Sequence, residues 1–152
     1  MCIRDSQHSV ENGLAALETD TDIVAIHDAA RTFIRTEAVQ ASIDAAADCG
    51  ASTVAIPSID TILVSDDEGY LADTPDRSKL WACQTPQTFR IDVIRSAHKM
   101  ARERGYLGTD DATLVMRAGG KVKLVPGSPL NFKITTPEDL ERARHVVEQG
   151  LV

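Results

Sequence analysis

The run Ile23-Val24-Ala25-Ile26 stops abruptly at His27-Asp28-Ala29-Ala30-Arg31, and that junction constrains the possible folds more than any other stretch. Four apolar residues, three of them Val or Ile, predict a strand buried on both faces, as in a parallel sheet. The strand hands over directly to a carboxylate, two methyl side chains and a guanidinium. In open α/β sheets ligands bind outside the carboxyl ends of the strands. Asp28 and Arg31 therefore mark a candidate site, against the plainer reading of an ordinary loop with an incidental ion pair.

The segments around this strand extend the pattern. Val10, Leu14 and Leu17 fall at helical spacing with Ser9 placed to cap. Thr36 opens an Ala-rich helix that runs to Cys49 and stops at Gly50, and Ser52–Ile56 reads as a second strand closed by Pro57. Strand, helix and strand make a βαβ unit, which predicts parallel pairing. Thr61–Val64 and Tyr70–Ala72 flank an acidic turn, Ser65-Asp66-Asp67-Glu68-Gly69, and predict a hairpin. Two-stranded ribbons are marginal alone, so this arm calls for a subunit partner. Residues 90–104 read as a helix with Ile91, Val93, Ile94 and Met100 inside, Thr109-Asp110-Asp111-Ala112 as the start of a short helix to Ala118, and Lys121–Val125 as a strand. Asn131–Ile134 reads as a short extended piece. Thr136-Pro137-Glu138-Asp139 opens a last helix with a capping Thr, Pro at its first position and acidic residues in its first turn.

Charge narrows the function. Sixteen basic against 23 acidic residues give −7 with no Lys/Arg block, which argues against nucleic acid as a partner. A small phosphorylated ligand needs only two or three cations in one pocket. Cys2, Cys49 and Cys83 form no C-x-x-C pair, so a reducing cytoplasmic setting is expected. No apolar stretch approaches the ~20 residues that span a bilayer, so no membrane association is expected. Met1–Ser6 fits no periodic pattern and reads as a non-native scar joined to a domain over residues 7–152.

A lone carboxylate at a strand end, with Lys and Arg elsewhere, suits a magnesium–phosphate complex, because Mg²⁺ takes one or two carboxylates plus substrate phosphates. Threonines near helix starts suit phosphate oxygens. Each also has a plainer reading. Lys133 is then a solvated cation, and Arg77 a surface partner of Asp73 or Asp76. Thr85 is a turn former before Pro86, and Thr109 a helix cap. Trp81 and Phe89 read as core or interface packing, Cys83 as a small buried apolar residue, and His27, His98 and His145 as residues without a role.

The order of segments resembles the 2-C-methyl-D-erythritol 4-phosphate cytidylyltransferases. The matching pieces are Ser9-Val10 with Gly13-Leu14, HDAAR at 27–31, Asp60-Thr61, Asp76-Arg77, LWACQTPQTF at 80–89, TDDA at 109–112 and NFKITTPEDL at 131–140. The resemblance implies an α/β, Rossmann-like fold of the nucleotide-diphospho-sugar transferase type, with a mostly parallel sheet and a protruding hairpin arm. It implies transfer of a cytidylyl group from CTP to methylerythritol phosphate with Mg²⁺ present. Asp28 then serves the metal and the nucleotide, with Ala29 and Ser9 on the nucleotide side. Lys133 and Arg77 position the attacking phosphate, and Arg31, Thr61, Thr85 and Thr109 complete the site of the phosphorylated alditol. The arm at 61–81 reaches across a homodimer, so Thr61 and Arg77 serve the partner's site.

Two departures stand out. The family's glycine-rich loop, with its Arg and Lys against the triphosphate, has no counterpart upstream of Asp28. The expectation is therefore an N-terminally truncated enzyme, inactive alone. Thr32 stands where the family commonly has proline. Alternatives are a ribitol-5-phosphate cytidylyltransferase, a non-catalytic nucleotide-binding module, or a parent with a downstream cyclase domain.

Overall fold

A computed structural model describes residues 3–18 and 20–152. Its order is α1 (Ile3–Ala15), β1 (Ile23–Ile26), α2 (Thr36–Cys49), β2 (Ala51–Pro57), β3 (Val64–Ser65), β4 (Leu71–Asp73), β5 (Trp81–Arg90), α3 (Ile91–Arg104), α4 (Asp111–Arg117), β6 (Lys123–Pro126) and α5 (Pro137–Glu148). Of the segment read as a scar, Met1 and Cys2 lie outside the described residues, and residues 3–6 belong to α1.

The main sheet has the order β1-β5-β2-β6. β5 runs antiparallel to both β1 and β2, with Ile26 opposite Gln87 and Ala51 opposite Phe89, while β2 and β6 are parallel, with Val54 beside Val125. The expected mostly parallel sheet is thus a mixed one. β1, β2 and β6 do point the same way, as the βαβ reading requires, but β5 inserts between β1 and β2. The expected burial of β1 on both faces is not seen among the described residues, where it lies at the sheet edge, half-buried, with Ala25 exposed. Val24 and Ile26 pack against the main core.

Alternation along the strands sorts the two faces. Phe89 and Ala51 enter the main core with Leu14, Ile94, Ala97, Ala101, Leu114 and Val115, under α1, α3 and α4. Thr88 and Ser52 point the other way, toward α2, where the Ser42 hydroxyl meets Thr88 Oγ1 at 2.9 Å and Ser52 Oγ donates to Ser42 O at 2.7 Å. All three are fully buried, and their mutual hydrogen bonds satisfy groups that would otherwise be costly in an apolar layer. Ala46, also fully buried, keeps this helix face small.

The helix ends correct several capping expectations. Ser9 lies inside α1 and caps nothing. Thr36 is the first residue of α2 and Arg35 precedes it without a side-chain cap, while Gly50 ends the helix at φ 95°, the left-handed conformation that glycine adopts freely. Asp110, not Thr109, caps α4. α5 starts as expected, with a reciprocal capping box between Thr136 and Asp139 and Pro137 at its first position. Residues 131–134 form no strand and lie in a turn-rich connection after β6.

The hairpin forms a separate two-stranded sheet, shorter than expected, with Val64 opposite Asp73. Asp66 Oδ1 accepts from the backbone N–H groups of Glu68 and Tyr70 at 3.0 and 2.8 Å, so the acidic turn is shaped by its own side chain. Among the described residues no helix is long and apolar enough to cross a membrane.

Candidate active site

β1, β2 and β6 all deliver their carboxyl ends to one rim, and the chain leaves β1 there in a tight turn. Arg31 N–H donates to Asp28 O at 2.9 Å, which closes residues 28–31 on themselves. Thr85, on neighbouring β5, pins the turn: its Oγ1 accepts from the Asp28 N–H at 3.0 Å and meets His27 Nδ1 at 2.9 Å. The other ring nitrogen, Nε2, lies 2.9 Å from Arg31 O. With Nε2 carrying the proton the network is self-consistent, because Thr85 then gives its hydroxyl hydrogen to Nδ1. His27, read from sequence as having no role, is thus a brace across the turn. The Thr85–Pro86 bond is cis.

The turn presents the Asp28 carboxylate to two cations. Arg31 Nε donates to Oδ2 at 3.3 Å, and Lys133 Nζ, arriving from the connection between β6 and α5, reaches the same oxygen at 3.1 Å. Lys133 is 28% exposed and Asp28 32%, so the cluster is partly solvated and open to a ligand. Lys133 is therefore an ion-paired residue rather than a freely solvated cation. Arg31 also donates from Nη1 to Asn131 O at 2.8 Å, and Ile134 N–H donates to Ala30 O at 2.8 Å. Two connections a hundred residues apart are stapled by the Arg31 side chain and one backbone hydrogen bond.

Asn131 is the hub of that staple. It is fully buried, and its Nδ2 donates to Gln84 Oε1 at 3.2 Å and to Thr85 O at 2.9 Å. Gln84 in turn donates to Ser128 O at 2.9 Å. The strand carrying Thr85 and the connection carrying Lys133 are thereby held in one register.

The TDDA segment is tied to β5 as well. Asp110 accepts from the Thr113 N–H at 2.7 Å and from Gln87 Nε2 at 3.2 Å, while Gln87 Oε1 accepts the Ala112 N–H at 3.0 Å. Burial works against ionisation of Asp110, but hydrogen bonds from Thr113, Gln87 and Cys83 outweigh it and hold its carboxyl below the usual range. Burial pushes the Cys83 thiol up, and the Asp110 charge adds to the rise despite hydrogen bonds with Thr53 and Gln87. Cys83 is exposed as a residue and sits among polar groups, which corrects its reading as buried and apolar. A thiol held protonated is a poor nucleophile.

The remaining candidates stand apart from the Asp28 cluster. Thr109 is exposed beside α4 with its hydroxyl 3.3 Å from that of Thr113, and has no hydrogen bond to the cluster. Thr61 and Arg77 are exposed on the arm. Arg77 donates to Ile59 O at 3.2 Å and pairs with neither Asp73 nor Asp76, whose carboxylate faces Lys79 instead. Ser9 is exposed on α1, and Ala29 is exposed in the tight turn next to Asp28. Phe89 is core, while Trp81 is 38% exposed at the foot of the arm.

A divalent cation fits this chemistry in one respect. Both cationic side chains bond to Asp28 Oδ2, and among the described residues none donates to Oδ1. A carboxylate oxygen on a part-exposed side chain suits magnesium, which keeps waters and takes its other ligands from phosphates. Among the described residues no three His, Cys, Asp or Glu side chains are grouped as a protein-only metal site.

A mixed α/β sheet with one carboxylate and two cations gathered outside its carboxyl-end rim places the chain among α/β proteins whose candidate site lies at the strand ends. The chain belongs to the 2-C-methyl-D-erythritol 4-phosphate cytidylyltransferase (IspD) family, whose model matches residues 4–149. It is 51% identical over 136 residues to the protein of that name from Caldanaerobacter subterraneus subsp. tengcongensis, covering 90% of this chain and 60% of the relative. Among solved structures, 4-diphosphocytidyl-2C-methyl-D-erythritol synthase from Anaerococcus prevotii superposes with a TM-score of 0.88 at 33% identity, over 93% of this chain and 63% of that one. The Thermus thermophilus cytidylyltransferase gives 0.82 at 36% identity, over 93% of this chain and 68% of that one. The chain thus spans about 60% of the length of the curated relatives it matches.

Proposed function

We propose that the chain supplies the alditol-phosphate side of a cytidylyltransferase that joins CTP to 2-C-methyl-D-erythritol 4-phosphate. A phosphate oxygen of the alditol attacks the α-phosphorus of CTP, the bond to the β-phosphate oxygen breaks, and pyrophosphate leaves. The observation that carries this reading is the meeting of Asp28, Arg31 and Lys133 at the strand-end rim of a chain of this family. Two anions repel on approach, and cations held at their meeting point offset that repulsion. Phosphoryl-type transfers rest on such positioning and electrostatic stabilisation.

In this reading Lys133 leaves Asp28 to take the alditol phosphate, while Arg31 stays to orient the carboxylate. No general base is required, since a phosphate monoester is largely ionised at neutral pH. Magnesium, when bound, would neutralise triphosphate charge from Asp28 Oδ1. Thr85 keeps the Asp28 turn in place and offers its hydroxyl at the rim, Thr109 adds a second hydroxyl, and Ala29 and Ser9 lie toward the nucleotide. Thr61 and Arg77 act in the site of a second copy, reached by the arm at 61–81. Residues 7–152 form one partial domain.

Calorimetric titration of the chain with methylerythritol phosphate tests the reading, with ribitol 5-phosphate alongside. Binding of the first, lost in Lys133→Ala, is expected. Tighter binding of the ribitol ester would favour the other alditol, and binding of neither by the unaltered chain would overturn the assignment of Lys133. CTP with Mg²⁺ is expected to bind weakly, since no glycine-rich loop with Arg and Lys precedes Asp28 in these residues. Tight stoichiometric binding would refute that expectation.

A further inference from the structure

Lys133 sits in a connection without strand hydrogen bonds, and its ion pair to Asp28 is partly solvated. Exposed pairs of that kind contribute little on their own, so other contacts hold residues 129–133 in place. Asn131 ties the middle of the connection to Gln84, Thr85 and Arg31, and the helix α5 grips it from the other side. The Arg142 guanidinium lies over the Phe132 ring, 4.0 Å from its centroid, and its Nη2 donates to Pro129 O at 3.1 Å. Phe132 also meets Phe33, centroid to centroid 5.8 Å, and Phe33 follows the Asp28–Arg31 turn by two residues. One side chain on α5 thus grips the Lys133 connection at both ends, and the ring it covers touches the connection that carries Asp28.

We propose that Arg142 is a positioning residue that keeps the Lys133 ammonium against Asp28. A planar guanidinium can stack on a ring while it donates in its own plane, which a lysine ammonium cannot do with the same geometry. The inference uses the reading of Lys133 as the phosphate cation only for its functional meaning, because the contacts stand without it.

Trace acetylation of the full chain with acetic anhydride, read by peptide mass spectrometry, compares Lys133 with Lys79, Lys99, Lys121 and Lys123. In Arg142→Ala the Lys133 rate should rise about two- to fivefold, the factor expected for losing an exposed cation–π contact, while the other four lysines stay unchanged. Arg142→Lys should fall between Arg142→Ala and the unaltered chain. In a Phe132→Leu background the effect of Arg142→Ala should shrink, because the ring that transmits it is gone. An unchanged Lys133 rate overturns the proposal, and so does a rise at all five lysines, which would report general loosening. A full-size effect without the Phe132 ring overturns it too. Protection of Lys133 by methylerythritol phosphate in the unaltered chain is a separate readout. Its absence, with the Arg142 effect intact, sinks the substrate reading and leaves the positioning role standing.

Discussion

Asp28 receives both of its cations on one carboxylate oxygen, Arg31 at 3.3 Å and Lys133 at 3.1 Å. Arg31 is the more buried, 15% exposed, and has a second anchor on Asn131 O. Lys133 has no other hydrogen bond among the described residues and is the one able to leave. Lys133→Ala should therefore cost at most about 1 kcal/mol of stability, the range of exposed pairs, while alditol-phosphate binding collapses. Urea denaturation and calorimetry on the same variant check the split, and equal loss of both would make the residue structural. Asp110 behaves differently. Its carboxyl is held below the usual range in the folded state, so the unfolded chain binds more protons as pH falls and the carboxylate's stabilisation is lost through that acid window. Asp110→Ala should cost about 1 kcal/mol at neutral pH, as for a lost helix cap, and should flatten the acid limb of a melting-temperature profile. A limb as steep as in the unaltered chain would assign the acid sensitivity elsewhere. At this scale the sequence marked Asp28 and Lys133 as candidates, because each stands in a short ordered motif, and the structure brings the two together. The sequence did not disclose His27 against Thr85, 58 positions apart, or Gln87 against Asp110. Pairings between distant polar side chains leave no period to read.

β5 is the element the sequence concealed most fully. Its ten residues contain Pro86 and carry Gln84, Thr85 and Gln87, so their pattern suggests no strand. In the fold these glutamines are buried and face partners, which is why the strand tolerates them. α2, α3, α4 and α5 were legible because their periodicity and stop signals are local, with boundaries within one or two residues. Pairing order was not, since a strand arriving from 30 residues further on decides which neighbours touch. Gly127 shows how tightly β5 and the β6 connection meet. A Cβ there would lie 2.3 Å from Gln84 Oε1 and 2.8 Å from Val54 Cγ1, with Val54 fully buried. Gly127→Ala must displace Gln84 from Ser128 O and Asn131, and should cost about 1–3 kcal/mol, as overpacking does. Chemical denaturation measures it, and a neutral result would mean the Gln84 network can shift without loss.

At the level of the whole molecule the arm is the part that the core does not explain. Ile59 is 84% exposed, Leu63 61%, Tyr70 69% and Leu71 64%, and the β3–β4 ribbon has only two strands to hold it. Large apolar side chains gathered on one projection mark a contact surface rather than scattered surface residues. The arm's polar residues point to the same use. Arg77 donates to the backbone of Ile59 and among the described residues forms no ion pair with a carboxylate, so its remaining donors are available to an anion brought by another molecule. If the arm lies across a second copy, an isologous contact brings two arms to two sites at once. Sedimentation velocity should then find the chain as a dimer, with Leu63→Asp combined with Leu71→Asp reduced to monomer at unchanged helix content by circular dichroism. Methylerythritol phosphate affinity should fall in that monomer even though Asp28, Arg31 and Lys133 are untouched, because Thr61 and Arg77 of the second copy would be withdrawn. A monomeric unaltered chain, or a monomeric variant that binds as tightly as the parent, would confine the site to one copy and leave the arm to some other contact.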